Sequence, residues 1–487
     1  MCFKRKIHFA AKAAIWVCFG LLNAQILFAA IHYTGSITID SMGTVGKYTS
    51  IALDSLESIH ISYYDQTHSA LKYTTNVLGY WTIETVDDSS AVGKFSAIAI
   101  DSLDAVHICY YDETHTALKY ATNASGSWVI ETVDNSGSVG QYASIAIDAD
   151  DSVHISYYHE SNSALMYATY IFDSWIIETI DDAGDVGEYS SIALDASGSV
   201  HISYFDETNS ALRYATNASG HWIVETLDDN GSVGKHTSIA LDLSDRVHIS
   251  YYDETHSALM YASNGSGHWN LERLDSRYDV GTYSAIALDS GNNVHISYYD
   301  RNWCLKYTTN ASGSWETIRA ESNYKTGVYA SMVLDAAGNG YISYYSSGSL
   351  KLSIVKDLDL SISPQSHYFG EIWFPFESET RMFEIKNVDN NVVALGSVRT
   401  TDNEFPISFD NCSLQDLAPD QTCVIGVKFR PSDYGPYMVT AEIQIPAAAP
   451  DSETLHIPLM GSEASIEFDF DEIQADLKKK DYFNGGG

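Results

Sequence analysis

Positive charge is scarce in this chain. Lys and Arg number 27 against 64 Asp and Glu, a formal net charge of −37. Phosphate contacts need Lys and Arg, so nucleic acid is excluded as a partner, and anionic lipid is a poor one. The acidity favours solubility of a Tyr-rich surface, or attraction of cations and basic partners. Cysteine is scarce too: six in 487 residues, with no CxxC and no Cys/His spacing suited to zinc. Arginine is sparse between residues 33 and 356, where Arg213, Arg246, Arg273, Arg277, Arg301 and Arg319 occupy unrelated places.

What the chain has is repetition. Val92 to Ser138 reads VGKFSAIAIDSLDAVHICYYDETHTALKYATNASGSWVIETVDNSGS, and almost everything from Tyr33 to Val355 is a variant of it. Glycines recur at Gly46, Gly93, Gly140, Gly187, Gly234, Gly281 and Gly327. Histidines recur at His60, His107, His154, His201, His248 and His295, with Tyr341 in the seventh slot. Tryptophans recur at Trp81, Trp128, Trp175, Trp222, Trp269 and Trp315. The step is 47 residues, except for a last one of 46. A fixed period in this range means a propeller or a solenoid. Each unit holds four short runs rich in Ile, Val, Tyr, Thr and Trp, split by Gly, Asn, Asp and Ser. Strands A (SIALD), B (VHISYYD), C (ALKYAT) and D (WxIETVD) make one blade. Leucine-rich and ankyrin units are shorter and contain helix.

The ends of the array predict closure. Strands A, B and C occur seven times, but only six D strands are led by Trp. The seventh lies at the other end: Ser36-Ile37-Thr38-Ile39-Asp40 stands 47 residues before Ile83-Glu84-Thr85-Val86-Asp87. The fold class expected is therefore all-β: a seven-bladed propeller whose N-terminal strand completes the last blade, followed by a further β domain. Closure removes the open edges of a linear array.

Residues 1–30 read as a signal peptide, with Lys4-Arg5-Lys6 before an apolar run from Ala13 to Leu22 and small residues near Ala30. Phe28 is large for the −3 position, which leaves an uncleaved anchor as the alternative. Either reading places the protein outside the cytoplasm, secreted, periplasmic or attached to the surface; as a cleaved signal, the segment leaves no membrane span in the mature chain. Cys2 and Cys18 belong to that segment. Cys109 and Cys304 fall on blades two and six, which are not neighbours in a ring of seven, so they cannot reach disulfide distance and read as buried thiols. Cys412 and Cys423 are the one plausible disulfide pair, consistent with an oxidising compartment.

The repeat, residues 33–356, gives way to a different texture. Residues 357–463 hold six or more alternating strands with Pro and Gly turns, which suggests an immunoglobulin-type sandwich. The residues Phe369-Gly370, Phe383-Glu384-Ile385-Lys386-Asn387, Leu417-Ala418-Pro419, Val427-Lys428-Phe429-Arg430-Pro431 and Ile457-Pro458-Leu459-Met460-Gly461 carry a resemblance. This stretch resembles the choice-of-anchor D domain of bacterial surface proteins, a relative of the Hydin and major-sperm-protein sandwiches. The resemblance implies an accessory module on an exported protein, with no catalytic residues. Residues 464–487 form a charged tail ending in three glycines, either a short helix or disordered.

Strand alternation predicts that D–A and B–C loops share one face of the ring, and A–B and C–D loops the other. The first face collects the candidate binding residues. From the ends of strand B and the B–C loops come Tyr64, Asp65, His68, Tyr111, Asp112, His115, Asp206, Tyr252, Asp253, His256, Asp300, Arg301 and Trp303. Carboxylates, amides and aromatic faces suit a sugar: acceptors for its hydroxyls and a flat ring for its apolar face. Such oxygen clusters can also hold Ca²⁺, although no cofactor is otherwise implied. A structural role competes, because Asp at strand ends caps turns through its own backbone and Tyr packs between blades. The strand-B histidines read as buried hydrogen-bonding residues.

The C–D turns, Thr122-Asn123-Ala124-Ser125-Gly126-Ser127-Trp128 and its copies, resemble a degenerate sialidase Asp-box, and the ring is similar in architecture to bacterial seven-bladed lectins. An Asp-box implies fold and not activity. A sialidase-like glycoside hydrolase is the enzymatic alternative. It would need an arginine cluster, a Tyr–Glu nucleophile pair and an acid/base Asp, and hence one carboxyl environment unlike the rest. Near-identical blades fit that poorly; blade six, Asp300-Arg301-Asn302-Trp303-Cys304, departs most. The expectation is a non-catalytic, carbohydrate-binding protein of the cell surface. Its partner is a glycan or, in the second reading, a cell-surface protein for which the ring is a scaffold.

Overall fold

The computed structural model describes residues 31–463 apart from 302–303, 322–325, 359, 365, 373–374, 389–391, 433–437 and 447–453. Trp303, the N-terminal segment 1–30 and the tail 464–487 lie outside the described residues. The described residues part into two compact units at Asp357–Leu358.

The first unit consists of seven four-stranded antiparallel sheets, the blades of a propeller. The first blade runs Val45–Leu53, Ile59–Asp65, Ala70–Thr75 and Thr82–Asp87 in sheet order. In the seventh, Thr326–Leu334, Gly340–Ser346 and Ser349–Leu358 are joined by Ile31–Asp40. The ring closes as the spacing of Ile37 and Ile83 predicts. Strand B is buried along its whole length in most blades, as a strand packed on both sides must be.

The recurring residues explain how blades meet. At Gly46 φ is 92°, and an added Cβ would lie 2.6 Å from the Leu350 backbone of the preceding blade. Gly93 stands likewise 2.7 Å from the Leu71 backbone, at φ 102°. Only glycine allows both the conformation and the approach. Tyr63 on strand B donates to Asp40 on the preceding strand D at 2.7 Å, and Tyr110 to Asp87 at 2.7 Å. In the seventh blade Tyr344 uses Glu321 instead. Trp128 donates from Nε1 to Glu84 of the blade before it and meets the Tyr73 ring edge-on at 5.3 Å. The first and seventh blades are tied by Thr49 donating to the Ser343 hydroxyl, 3.0 Å. Each inter-blade seam is thus a hydrophobic layer flanked by polar ties that satisfy most of its buried hydroxyls and carboxylates; among the described residues the hydroxyls of Thr169, Thr282 and Ser297 find no partner.

The histidines of strand B behave as expected of buried hydrogen-bonding residues. His60 meets the Tyr73 hydroxyl through Nδ1 at 2.6 Å and Asp54 through Nε2 at 3.2 Å. Burial holds the His60 imidazole below its ordinary pKa, although Asp54 pulls the other way. Cys109 and Cys304 are buried free thiols.

The second unit has two four-stranded sheets and a two-stranded ribbon. Arg381–Asn387 and Thr422–Val427 are central strands of one sheet; Thr454–Glu463 and Met438–Pro446 are central in the other. Phe369 meets Phe405 and Phe429 between the sheets, with ring centroids 5.8 and 6.5 Å away. Cys412 and Cys423 form a disulfide.

Candidate functional site

Hydrogen bonds fix which loops share a face. Thr44, in the turn entering strand A, donates from its amide to the Thr67 hydroxyl of the B–C loop at 2.8 Å, and accepts from the Gln66 amide at 2.9 Å. The contact recurs from Ala91 to Thr114, Ser138 to Ser161 and Ser232 to Thr255. On the opposite face, A–B loops of successive blades join through pairs such as Ser55 with Asp104.

The repeated carboxylates of the first face are turned inward. Asp65 is wholly buried. One of its oxygens accepts from the amides of Thr67 and His68 at 2.9 and 3.2 Å. The other meets His68 Nδ1 at 2.7 Å and Lys72 at 3.2 Å. Burial opposes ionisation of Asp65, but these contacts outweigh it and hold the carboxyl below its ordinary range. Asp112 and Asp253 hold His115 and His256 in the same way, and Asp206 holds Asn209 and Arg213. Asp300 pairs with Lys306 at 3.2 Å. Tyr64, Tyr111 and Tyr252 are buried behind the loops. Tyr252 donates to Asp279 at 2.6 Å, and the Tyr111 hydroxyl lies 3.4 Å from that of Ser138.

Of the described candidates, His68, His115, His256 and Arg301 reach solvent, with side chains 64 %, 67 %, 42 % and 59 % exposed. They stand on four different blades, and no described contact brings them together. Arg301 is paired with Asp279 at 3.0 Å.

A second feature, at the axis, escaped the reading of the repeats. Two residues after each recurring glycine stands an aromatic ring: Tyr48, Phe95, Tyr142, Tyr189, His236, Tyr283 and Tyr329. Strand A is bulged there, with register shifts between Val45, Lys47 and Ser50. The ring-bearing residue takes φ between 51° and 58° in every blade. The bulge throws all seven side chains towards the axis. Neighbouring centroids are 4.4–5.0 Å apart, and each ring is turned on the last by 45–59°, close to one-seventh of a circle. The result is a closed girdle of half-buried rings, backed by Tyr64 and its equivalents at 6.4 Å.

The girdle and the residue following each ring line an axial cavity of about 190 Å³. Those following residues include Thr49, Ser96, Ser190, Thr237 and Ser284. Burial, reinforced by neighbouring phenols, raises the Tyr48 and Tyr283 hydroxyl pKa values, so these groups stay protonated. His236 is the one imidazole of the girdle. Burial first, then the Lys235 and Arg301 charges, pushes it down to about 3. On the rim Lys94 pairs with Glu113 at 2.7 Å and Lys235 with Glu254 at 2.8 Å. Glu188 is held above its ordinary value by burial and by the carboxylates of Glu207 and Asp185. The signal that could have found the girdle is the aromatic in each Gly-x-aromatic step. Among the described residues, no group of three or more His, Cys, Asp or Glu is placed to hold a metal ion.

No protein-family model matches the chain, and no curated protein matches it by sequence. By structure it is similar to a triple-arginine mutant of AofleA from Arthrobotrys oligospora, at 13 % identity and a TM-score of 0.43, over 66 % of this chain and 92 % of that one. It is similar to the Aleuria aurantia lectin in complex with Fucα1-6GlcNAc, at 12 % identity and a TM-score of 0.40, over 56 % and 94 %. It is also similar to the extracellular domain of a putative hybrid two-component system from B. thetaiotaomicron, at 12 % identity and a TM-score of 0.45, over 88 % and 57 %. Likeness at this level assigns no activity.

Proposed function

We propose that the ring is a non-catalytic glycan-binding module. The observation that carries this reading is the closed girdle of part-exposed aromatic rings around an axial cavity, close to the loops of one face. Aromatic rings beside hydroxyls suit the mixed apolar and polar surface of a sugar. Catalysis by paired carboxylates is disfavoured for a separate reason. Asp65, Asp112 and Asp253 sit in the same capped environment, whereas acid and base roles need environments pushed apart. The exposed candidates His68, His115, His256 and Arg301 would serve, on this reading, as outer contacts for a ligand larger than one sugar ring.

The remaining assignments belong to the same proposal. Residues 1–30 would direct export, residues 33–356 form the binding ring, and residues 357–463 act as an immunoglobulin-type accessory module of the choice-of-anchor D kind. The site of action is then the cell exterior or periplasm. Binding of the purified chain to an immobilised glycan array, with and without calcium, tests the reading. Retention of defined glycans is expected; silence in both conditions would end it.

A protein-interaction scaffold is the second reading, and one observation favours it. The A–B and C–D loops carry exposed apolar residues: Leu56, Leu103 and Leu243 at 80–82 % exposure and Phe172 at 95 %. Exposed side chains of this kind mark docking surfaces when they cluster. A protein captured from a cell-surface extract and lost on Leu103→Ser would favour this reading over the first.

A further inference from the structure

We infer that the ring takes one uncharged sugar ring per chain, at its axis, and that His236 sets how that sugar is turned. The inference rests on the glycan reading and sharpens it, because a protein built of near-identical blades would otherwise be expected to bind once per blade.

The blades do not offer equivalent free sites. Their repeated carboxylates are consumed by backbone amides, His68, Lys72 and their counterparts. The position of His68 becomes Asn209 in the fourth blade, where its amide is likewise held by Asp206 at 2.9 Å. At the axis, by contrast, all seven blades contribute to one concave surface. The hollow, about 190 Å³ and open to solvent, has room for one sugar ring against the girdle.

Five of the seven girdle residues are Tyr and one is Phe95; His236 alone brings ring nitrogens to the girdle. It lies between Tyr189 and Tyr283, with centroids 4.5 and 4.4 Å away. Among the described residues no hydrogen bond engages its imidazole. A neutral imidazole offers one donor and one acceptor, which matches a pair of sugar hydroxyls and not a carboxylate. The nearest cations are already answered, Lys235 by Glu254 and Arg301 by Asp279. The wall around His236 therefore offers a ligand carboxylate no unanswered cation among the described residues, and the Glu188 carboxyl on the same rim disfavours one further.

The test uses the full chain and a panel of methyl glycosides of glucose, galactose, mannose, fucose and N-acetylglucosamine. Isothermal titration reads stoichiometry, and saturation-transfer NMR reads which glycoside is held. One equivalent per chain is expected. His236→Tyr restores the residue type of five other blades and so should fold. It should weaken the preferred glycoside by about tenfold, as expected when a buried hydroxyl loses its partner, and alter the ranking of the panel. Uptake of six or seven equivalents would overturn the axial site. So would loss of binding on His68→Ala with His236→Tyr unaffected. A chain that binds the glycan array but none of the five glycosides overturns the axial site and leaves the glycan reading standing; a chain silent on both ends the two together.

Discussion

The two units hold their β-sheets together by different means. The ring has no disulfide among its described residues; every seam repeats a glycine against a neighbour's backbone and a Tyr–carboxylate bond, and four seams add a Trp–Glu bond. The C-terminal unit repeats nothing. It relies on one disulfide and on a cluster of Phe369, Phe405 and Phe429. Redundancy protects an open repeat array against local damage, because each unit depends mainly on its neighbours. Closure changes that. Once Ile31–Asp40 completes the seventh blade, a seam that fails opens the whole circle.

The comparison breaks most sharply at a seam glycine. Gly93→Ala places a Cβ 2.7 Å from the Leu71 Cα and forces an L side chain to φ 102°. We expect a loss of about 3 kcal/mol or more, at the upper end for a single substitution. Hydrogen exchange should rise in peptides of the first and second blades and spread round the ring, while peptides from Arg381–Asn387 stay protected. Gly126→Ala is the control: its φ is 86°, but the added atom would meet open space. It should cost only about 1 kcal/mol. Equal melting of the two variants would show that close approach is not what the seam glycines serve.

Reduction attacks the other unit. Opening Cys412–Cys423, which are 11 residues apart, should remove about 2–3 kcal/mol through the freedom returned to the unfolded chain. The effect should be read in peptides around Thr422–Val427, with the ring untouched. Cys109 is already a thiol, and burial pushes its pKa up to about 12, so reductant has no bond to break there. Ring peptides that lose protection in step with the disulfide would mean that the two units are not distinguished in this way.

Much of the ring was legible because its seams are built from unusual residues at fixed steps. Gly93 must be glycine, Trp128 must reach Glu84, and Ile37–Asp40 copies the spacing of a strand D, so each leaves a mark in the chain. Turn chemistry was legible too: an Asp before a polar loop caps that loop, as Asp65 does. The girdle was not. Tyr48 or Phe95 in a strand of alternating residues reads as an ordinary packed aromatic. Its inward throw follows from the bulge, and the bulge follows from pressing Gly46 or Gly93 against another blade. That is a tertiary consequence, invisible to local pattern. His236 was passed over for the same reason, standing in a Tyr slot outside the row of strand-B histidines.

The smallest effect separates what the candidates on the loop face do for the fold from what they do for a ligand. Asp65 and His68 are bonded to each other, yet their contributions should differ widely. Asp65→Ala leaves the amides of Thr67 and His68 without their acceptor and takes from Lys72 the nearer of its two carboxylates, Asp40 remaining at 3.9 Å, which should cost about 2 kcal/mol. His68→Ala removes a largely exposed partner from a carboxylate that keeps its amide bonds. Exposed pairs are worth little, so the melting point should move by an amount equivalent to less than about 0.5 kcal/mol. Thermal unfolding of the two variants measures the ratio. If His68→Ala destabilised the ring as much as Asp65→Ala, the imidazole would be part of the turn's structure. It would then not be available to touch a ligand without loosening the loop that carries it.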